Sequence, residues 1–274
     1  MRSGSDATER YYDEGAEDEW SRLDRHRIEF AVTLRTMREF LPPSPARVVD
    51  IGGGPGRYSL TLARQGYRVT LVDLSRACLD LAKRKAIENR LSLDGYVHAR
   101  ATDLRELPDE FFDVSLLMGP LYHLTLEEDR KLAVSETKRI LKPNGLIFAS
   151  VITRYAPIRW TARYEPASSY HLEFVKKVMD TGAWKGAGEA YRLGRADCYF
   201  ARPSEIKPLM EEQGFETLAI VGCESAVSMV DEKVNELSGE LFDLWVDINY
   251  RMGKDTDAHG ASEHLFYVGR KAKK

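Results

Sequence analysis

Cysteine is scarce in this 274-residue sequence: Cys78, Cys198 and Cys223 lie far apart, and no C-x-x-C pair occurs. This spacing argues against a disulfide framework and against a structural zinc site, because both need closely paired ligands. The histidines of the second half of the chain show no metal-ligand spacing either, so we predict no metal site. A reducing, cytoplasmic setting fits this cysteine usage best.

The sequence also lacks an excess of charge and a long apolar run. Its net charge is -3 and its pI about 6.1, which leaves no basic footprint for nucleic acid. The N-terminus is polar and acidic where a signal peptide would be basic and then apolar, and no apolar run approaches the length of a membrane span. We therefore expect a soluble protein whose partner is neither nucleic acid nor a membrane.

What the sequence does have is a run of glycines directly behind a short apolar stretch, RVVDIGGGPGRYSL at 47–60. A P-loop needs Lys and then Ser or Thr after its last glycine, whereas Gly56 is followed by Arg57, so the P-loop interpretation fails. A dinucleotide-binding turn has the pattern G-x-G-x-x-G, and here Arg57 would take the place of the third glycine. That interpretation is weakened but stays open.

Strand and helix patterns alternate along the first half of the chain. The β-branched and apolar runs are ARVVDIG, YRVTLVD, DGYVHARATD, FFDVSLLMG and LIFASVI. Helical periodicity fills the gaps, with Ser75 as a predicted N-cap and Thr125 and Glu128 as a predicted capping box. Five strands joined by helices predict a parallel sheet covered on both faces, because right-handed crossovers place helices on either side.

In such a sheet, ligands bind at the carboxyl ends of the strands. The glycine run follows the first strand, Asp73 ends the second, Asp103 ends the third, and MGPLYH follows the fourth. Four loops are therefore expected to meet at one crevice.

The pattern D-x-G-x-G-x-G, formed by Asp50, Gly52, Gly54 and Gly56 with Asp73 about 20 positions further on, resembles the nucleotide-binding motif of the class I S-adenosylmethionine-dependent methyltransferases. VTLVDLS, ATDLRELPDEFFDVSLLMG and ILKPNGLIFAS are similar to the family's next segments, and ETLAIVGCE and SEHLFYVGRK look like its last two strands. The resemblance implies an α/β fold: a Rossmann-like, seven-stranded, mostly parallel sheet with helices on both faces and an antiparallel last strand.

The same resemblance implies a set of S-adenosylmethionine-binding residues. Asp73 would hold the ribose and Leu74 the adenine face, while Asp103 and the N–H of Leu104 would read the adenine edge. The alternative for each aspartate is a turn or helix-cap role, which Asp favours in any case. The implied cofactor-binding set is Asp50, Gly52, Gly53, Gly54, Gly56, Asp73, Leu74, Asp103, Leu104, Met118, Gly119 and Tyr12.

Two residues just past the fourth strand, Tyr122 and His123, are the candidate catalytic groups. A phenol acceptor, with a pKa near ~10, benefits from a general base, whereas a neutral amine attacks without one. The alternative is that the aromatic side chains of this loop only shape the methionine pocket.

Segments outside the plain sheet are expected to form a helical cap or lid. We predict cap helices over 1–45 and a methyltransferase domain over 46–274, with lid insertions at about 153–200 and 225–260. Arginines and aromatics of the first insertion are candidates for acceptor binding, although aromatics at this density also suit a small core of their own. The candidates are Arg159, Arg163, Arg192, Arg195, Trp160, Tyr164, Tyr170 and Trp184. The second insertion has apolar residues at spacings of three and four, which predicts an amphipathic helix.

The resulting prediction is an S-adenosylmethionine-dependent methyltransferase that acts on oxygen, nitrogen or carbon of a small-molecule acceptor. Two alternatives stay open: a nicotinamide-dependent oxidoreductase, and a non-catalytic protein that binds S-adenosylmethionine.

Overall fold

The computed structural model describes residues 4–185 and 196–273, and a seven-stranded sheet forms its centre. The strands of this sheet are β1 (Arg47–Ile51), β2 (Arg68–Asp73), β3 (Gly95–His98), β4 (Phe112–Leu117), β5 (Leu141–Ile152), β8 (Phe215–Gly222) and β9 (His264–Lys271). Two short strands, β6 (Ala183–Trp184) and β7 (Cys198–Tyr199), pair separately. The order in the large sheet is β3-β2-β1-β4-β5-β9-β8.

This order confirms the predicted sheet and its antiparallel last strand. The first five strands are parallel, and β9 pairs antiparallel with both β5 and β8. The doubly wound dinucleotide-binding fold has six parallel strands in the order 3-2-1-4-5-6, so the inserted β9 distinguishes this chain from it. β1 and β4 lie at the centre, and nearly all of their residues are buried, as expected for parallel strands covered on both faces.

Ten α-helices lie within the described residues. They are α1 (Gly4–Arg25), α2 (Arg27–Phe40), α3 (Arg57–Arg64), α4 (Arg76–Glu88), α5 (Glu127–Ile140), α6 (Ala156–Tyr164), α7 (Ser169–Thr181), α8 (Pro203–Glu212), α9 (Glu232–Asn235) and α10 (Gly239–Gly253). Short 3₁₀ turns occupy Pro120–Tyr122, Ser225–Val227 and Thr256–Ala261. Among the helices that the structure describes, none has a stretch long and apolar enough to cross a membrane.

The N-terminal helices pack against the sheet in different ways. α2 buries Ile28, Val32 and Met37, and Met37 joins the apolar core beside β1 and β4. α1 lies against α4 instead: the Asp13 carboxylate accepts from the Ser75 hydroxyl at 2.6 Å, next to the end of β2. This contact holds α1 over the carboxyl edge of the sheet.

Of the two helix starts predicted from the sequence, one is confirmed and one needs correction. Ser75 caps α4 as predicted, accepting from the Cys78 N–H at 3.1 Å. α5, however, has Leu126 at its N-cap position with no side-chain cap, so the predicted capping box of Thr125 and Glu128 does not form. Three acidic residues in the first turn of α5 favour that end electrostatically instead.

The second insertion does form an amphipathic helix, but its apolar stripe faces outward. Leu241, Leu244 and Ile248 of α10 are 60%, 53% and 45% exposed. α10 packs on α2 and β8 through its other side, and none of the described residues between 225 and 260 lines the cleft at the carboxyl edge. The prediction that this insertion covers the cleft is therefore wrong, because periodicity defines a face without saying what that face contacts.

The aromatic residues of the first insertion pack among themselves. The Trp160 ring contacts Tyr164 and His171 with centroids 5.4 Å apart, and Trp184 lies edge-on to Phe174 at 4.8 Å. Trp160, Phe174 and Trp184 belong to a small core of α6, α7, β6 and β7. A separate core of this kind was the alternative to acceptor binding for these aromatic residues. Arg163 pairs with Glu232 at 2.8 Å, and Arg159 donates to the Gly260 carbonyl at 2.9 Å. Arg192 and Arg195 lie outside the described residues.

Candidate functional site

A cavity of about 390 Å³ opens at the carboxyl ends of β1, β2 and β4. It is lined by the loops that follow these strands, by 99–102 after β3, and by one side of α1. The predicted residues that line it are Tyr12, Asp50, Gly52, Gly53, Gly54, Asp73, Leu74, Met118, Gly119, Tyr122 and His123. Most of the set predicted from sequence therefore meets at one place, as the strand order requires.

The glycines after β1 and β4 allow close contacts within the protein, in addition to leaving space for a ligand. At Gly52, whose φ is +67°, an added Cβ would lie 2.6 Å from the ring of Pro120. At Gly119, it would lie 2.8 Å from the Gly52 carbonyl oxygen, so the turns after β1 and β4 touch backbone to backbone. Within the glycine turn, Gly54, with a φ of +55°, is the position where a Cβ would meet no atom closer than 3.7 Å. Gly56 begins α3 with a φ of +84° and faces Ala82 instead of the cavity.

Two buried carboxylates hold the glycine turn in place. Asp50 accepts a 2.7 Å hydrogen bond from the hydroxyl of Ser59 on α3, and burial raises its pKa to about 7. Asp73 accepts from the Gly54 N–H at 2.7 Å and from the Ser75 N–H at 2.8 Å. Burial raises the pKa of Asp73 to about 6, and these N–H donors oppose that shift. Asp73 therefore connects the turn after β1 to the start of α4 while its carboxylate borders the cavity.

The structure does not bring Asp103 and Leu104 to the cavity. Asp103 receives two 2.7 Å hydrogen bonds from the Arg105 guanidinium, and the Leu104 N–H donates to the Glu136 carboxylate at 2.9 Å. The Leu104 side chain is fully buried in the core, which fixes this orientation. The cavity is lined instead by the preceding residues 99–102, so the adenine contacts expected of Asp103 and Leu104 stay predictions without support in this arrangement.

Tyr12 and His123 meet across the cavity. The Tyr12 hydroxyl lies 2.7 Å from Nε2 of His123, and Nδ1 of His123 lies 3.0 Å from the Asp197 carbonyl oxygen. Because a carbonyl oxygen only accepts, Nδ1 carries the proton and Nε2 presents its lone pair to the Tyr12 hydroxyl. Burial lowers the pKa of His123 to about 4, so the ring is neutral at physiological pH. The Tyr122 ring lies against His123 at 4.9 Å, and burial raises the pKa of the Tyr122 hydroxyl.

α1 adds three charged residues to the cavity that the sequence did not single out, Glu9, Glu19 and Arg22. The Glu19 side chain lies 3.7 Å from the Cβ position of Gly54, and Arg22 donates to Glu19 at 3.1 Å. Burial raises the pKa of Glu19, while the Arg22 guanidinium opposes that rise. The spacing of three residues places both on one side of α1, but only the packing of α1 over the cleft shows that this side faces the site.

Behind Arg22 lies a buried network of charges. Arg22 donates to both carboxylate oxygens of Glu29, at 2.7 and 3.0 Å, and Nδ1 of His264 lies 2.7 Å from Glu224 and 3.9 Å from Glu29. The second oxygen of Glu224 accepts from the backbone N–H groups of Glu263 and His264. Glu29, Glu224 and His264 are close enough to share a metal ion. Their oxygens are already engaged by donors, so this geometry is that of an ion-pair network.

Comparison with known proteins identifies the segment that carries the site. Residues 49–149 match the family model described as "Methyltransferase domain". A ubiquinone biosynthesis O-methyltransferase of Xylella fastidiosa is 35% identical over 161 residues, which cover 56% of this chain. The aligned part spans 64% of that relative's length.

Solved structures resemble the chain over most of its length. A S-adenosylmethionine-dependent methyltransferase from Methanosarcina mazei superposes with a TM-score of 0.60 and 17% identity, covering 87% of this chain and 98% of its own. The 1,6-didemethyltoxoflavin-N1-methyltransferase of Burkholderia thailandensis, crystallised with its substrate and S-adenosylhomocysteine, gives a TM-score of 0.59 and 14% identity over 97% of this chain and 88% of its own. At this identity, these structures establish the shared fold.

Proposed function

We propose that the chain is a class I S-adenosylmethionine-dependent methyltransferase that methylates a hydroxyl group of a small molecule, with His123 as the general base; the match of residues 49–149 to a methyltransferase domain and the 35% identical relative support this assignment. The observation that carries the hydroxyl assignment is the neutral His123 ring, whose Nε2 already accepts a phenolic hydroxyl, that of Tyr12. The curated relative's name also specifies an O-methyltransferase. Nitrogen and carbon acceptors are less favoured because a neutral amine does not need this base.

The cavity fits S-adenosylmethionine at its ribose and methionine ends. A buried carboxylate, Asp73, is placed to accept from ribose hydroxyls, and Leu74 lines the wall beside it. The uncrowded Cβ position of Gly54 leaves room for the methionine chain, and Met118 and Gly119 line the cavity nearby. The bound cofactor supplies an activated methyl group on its sulfonium, so the protein has to position the acceptor and exclude water.

We further propose that Glu19 and Arg22 recognise the charged amino-acid end of the cofactor. Both lie on the glycine-turn side of the cavity, and they carry the charges that an ammonium and a carboxylate need. α1 would then act as the cap expected for residues 1–45, since it also supplies Tyr12. In the first insertion, only Lys185 and Asp197 of the described residues line the cavity, so we propose a lid role for these two residues alone.

A cytoplasmic location and a small acceptor are part of the same proposal. The three cysteines are free and buried, which suits a reducing compartment. The net charge of -3 does not favour a nucleic-acid substrate. A cavity of about 390 Å³ is within the size range of small-molecule sites.

The proposal is tested by calorimetric titration with S-adenosylmethionine, S-adenosylhomocysteine and NAD in one buffer, followed by turnover assays. We expect micromolar binding of the first two and none of NAD, and then S-adenosylhomocysteine release with at least one member of a panel of phenols and alcohols. Binding of NAD alone would overturn the cofactor assignment. Cofactor binding with turnover confined to amines would overturn the hydroxyl assignment, and binding without any turnover would favour the non-catalytic alternative.

Replacing Asp73 with alanine is expected to weaken S-adenosylmethionine binding by more than ~1 kcal/mol, because charge-assisted hydrogen bonds to the ribose are lost. Calorimetry measures the effect, and thermal unfolding checks that the turn still folds. Asp80→Ala is the matched control, since the Asp80 side chain is 65% exposed on α4, away from the cavity. Equal affinities in the wild type and the Asp73 variant would contradict the ribose assignment.

A further inference from the structure

α10 carries an apolar stripe that no other described residue covers. Leu241, Leu244, Trp245 and Ile248 are 60%, 53%, 36% and 45% exposed. At 100° per residue, their spacing keeps them on one side of the helix. The residues that attach α10 to the rest of the protein lie on the other side and are Val246, Asn249, Tyr250 and Gly253.

A contiguous exposed patch of this kind marks an interaction surface, whereas single exposed apolar residues do not. The charges beside the stripe indicate the kind of partner. Glu240, Asp243 and Asp247 occupy the first two-thirds of α10, and Arg251 stands near its end. Asp247 is neutralised within the chain by Arg35 and by Nε of Arg251, each at 2.7 Å, so Glu240 and Asp243 make up the acidic flank. Helices that lie on membrane surfaces have polar faces rich in Lys and Arg, so this acidic flank disfavours a lipid partner.

The charge order along α10 instead matches a second copy of the same helix. Glu240 and Arg251 lie three turns apart and differ by only about 20° around the axis, so both stand on the same side of the stripe. When two copies pack antiparallel about a two-fold axis, that flank of one helix meets the same flank of the other. Glu240 of each copy then approaches Arg251 of its mate, while a parallel two-fold pairing would bring opposite flanks together and would not join Glu240 to Arg251.

The positions of the apolar residues along α10 also fit the antiparallel two-fold pairing. An axis that passes between Leu244 and Trp245 sets Leu241 of one copy opposite Ile248 of the other, so all four apolar residues are buried in both copies. The two helix dipoles also run in opposite directions, which is favourable. We propose that α10 is the interface of a two-fold symmetric homodimer, with an apolar seam from Leu241 to Ile248 and a Glu240–Arg251 ion pair at each end.

Sedimentation velocity over a range of concentrations tests the proposal. The wild-type chain is expected to show a concentration-dependent dimer, and Leu244→Glu to weaken dimerisation by at least about 100-fold, because the change occurs twice in each dimer and places like charges in the seam. Leu172→Glu is the matched control: Leu172 is 51% exposed on α7, away from α10, and its variant should dimerise like the wild type. Far-UV circular dichroism confirms that each variant is folded.

Charge reversal tests the antiparallel register. Glu240→Arg should weaken the dimer by at least about tenfold, and the double variant Glu240→Arg, Arg251→Glu should dimerise more tightly than Glu240→Arg alone, since the pair is re-formed with exchanged signs while the Arg251 pair with Asp247 is lost. A chain that stays monomeric at all concentrations overturns the proposal, as does a dimer that neither Leu244→Glu nor Glu240→Arg weakens. A monomer that floats with phosphatidylcholine–phosphatidylglycerol vesicles overturns it in favour of a lipid surface.

Discussion

Replacement of His123 with glutamine is expected to lower kcat by about 100- to 10,000-fold and to leave the affinity for S-adenosylmethionine nearly unchanged. The reason is that His123 presents the neutral Nε2 lone pair in the cavity, while Asp197 holds its proton on Nδ1. Glutamine retains polar atoms of similar reach, but its amide does not take up a proton. The measurements are steady-state turnover with a hydroxyl acceptor and calorimetric binding of the cofactor.

The pH dependence separates a base from a residue that only shapes the pocket. Burial lowers the pKa of His123 to about 4, so the ring is already the unprotonated base at neutral pH. kcat should therefore be insensitive to His123 titration from about pH 5 to 8 and fall only as the pH approaches 4. A base of this strength removes the hydroxyl proton as the new bond to the methyl group forms, because the oxygen becomes strongly acidic at that stage.

His171→Gln is the matched control, since His171 lies on α7 and does not line the cavity. Its kcat should equal that of the wild type. Wild-type turnover in His123→Gln would remove His123 from the role of base.

The first half of the chain was predictable because its signals are local. Each strand from β1 to β5 is a β-branched or apolar run bounded by glycine or a helix cap, and parallel strands bring their carboxyl ends together. The glycine turn, Asp73, Met118 and His123 therefore meet at one cavity as the sequence indicates. Topology alone is sufficient to place residues that directly follow a strand.

Residues whose place depends on packing between distant elements were not predictable. Glu19 and Arg22 reach the cavity because Asp13 fastens α1 to the start of α4, a contact across more than 60 residues. The outward orientation of the apolar stripe of α10 also depends on packing between distant elements. The same spacing of apolar residues would be found in a helix whose stripe faced the core. Asp103 turned out to face Arg105 because the neighbouring Leu104 is held in the core, which no local pattern shows.

Loss of the Glu29 carboxylate is expected to cost up to about 3–5 kcal/mol of stability, because Glu29→Gln leaves one partly buried and one buried cation without their shared partner. Those cations are Arg22, bound to both Glu29 oxygens, and His264, 3.9 Å away. The Arg22 guanidinium holds the pKa of Glu29 at about 2 against the opposing effect of burial.

Denaturant unfolding at pH 6 measures the loss of stability in Glu29→Gln. Glu39→Gln is the control on the same helix, since the Glu39 side chain is 42% exposed and its ion pair with Lys254 should be worth at most about 1 kcal/mol.

The same network sets how stability depends on pH. Glu29 and Glu224 raise the pKa of His264 to about 9 against its burial, whereas the unfolded value is near 6.5. The stabilisation from His264 is therefore complete below pH 6.5 and is lost as the pH rises through 9, a fall of about 2–3 kcal/mol. Glu29 acts in the opposite direction: its contribution is present above pH 4.5 and is lost toward pH 2. Glu263 is packed in the same network, and burial raises its pKa from 4.5 to about 7. Its contribution to stability is therefore lost as the pH rises from 4.5 through 7, before most of the His264 contribution is lost.

Comparison of the wild type with Glu29→Gln separates these contributions. The variant lacks the largest of the groups that raise the pKa of His264, so its stability should fall less between pH 6.5 and 9 than that of the wild type. The Glu29 charge also contributes to the raised pKa of Glu263, so the Glu263 contribution shrinks in the variant too, and the difference between the two pH curves reports both residues. Parallel pH curves, or a Glu29→Gln variant within about 1 kcal/mol of the wild type at pH 6, would show that the network does not hold Arg22 at the cavity by charge.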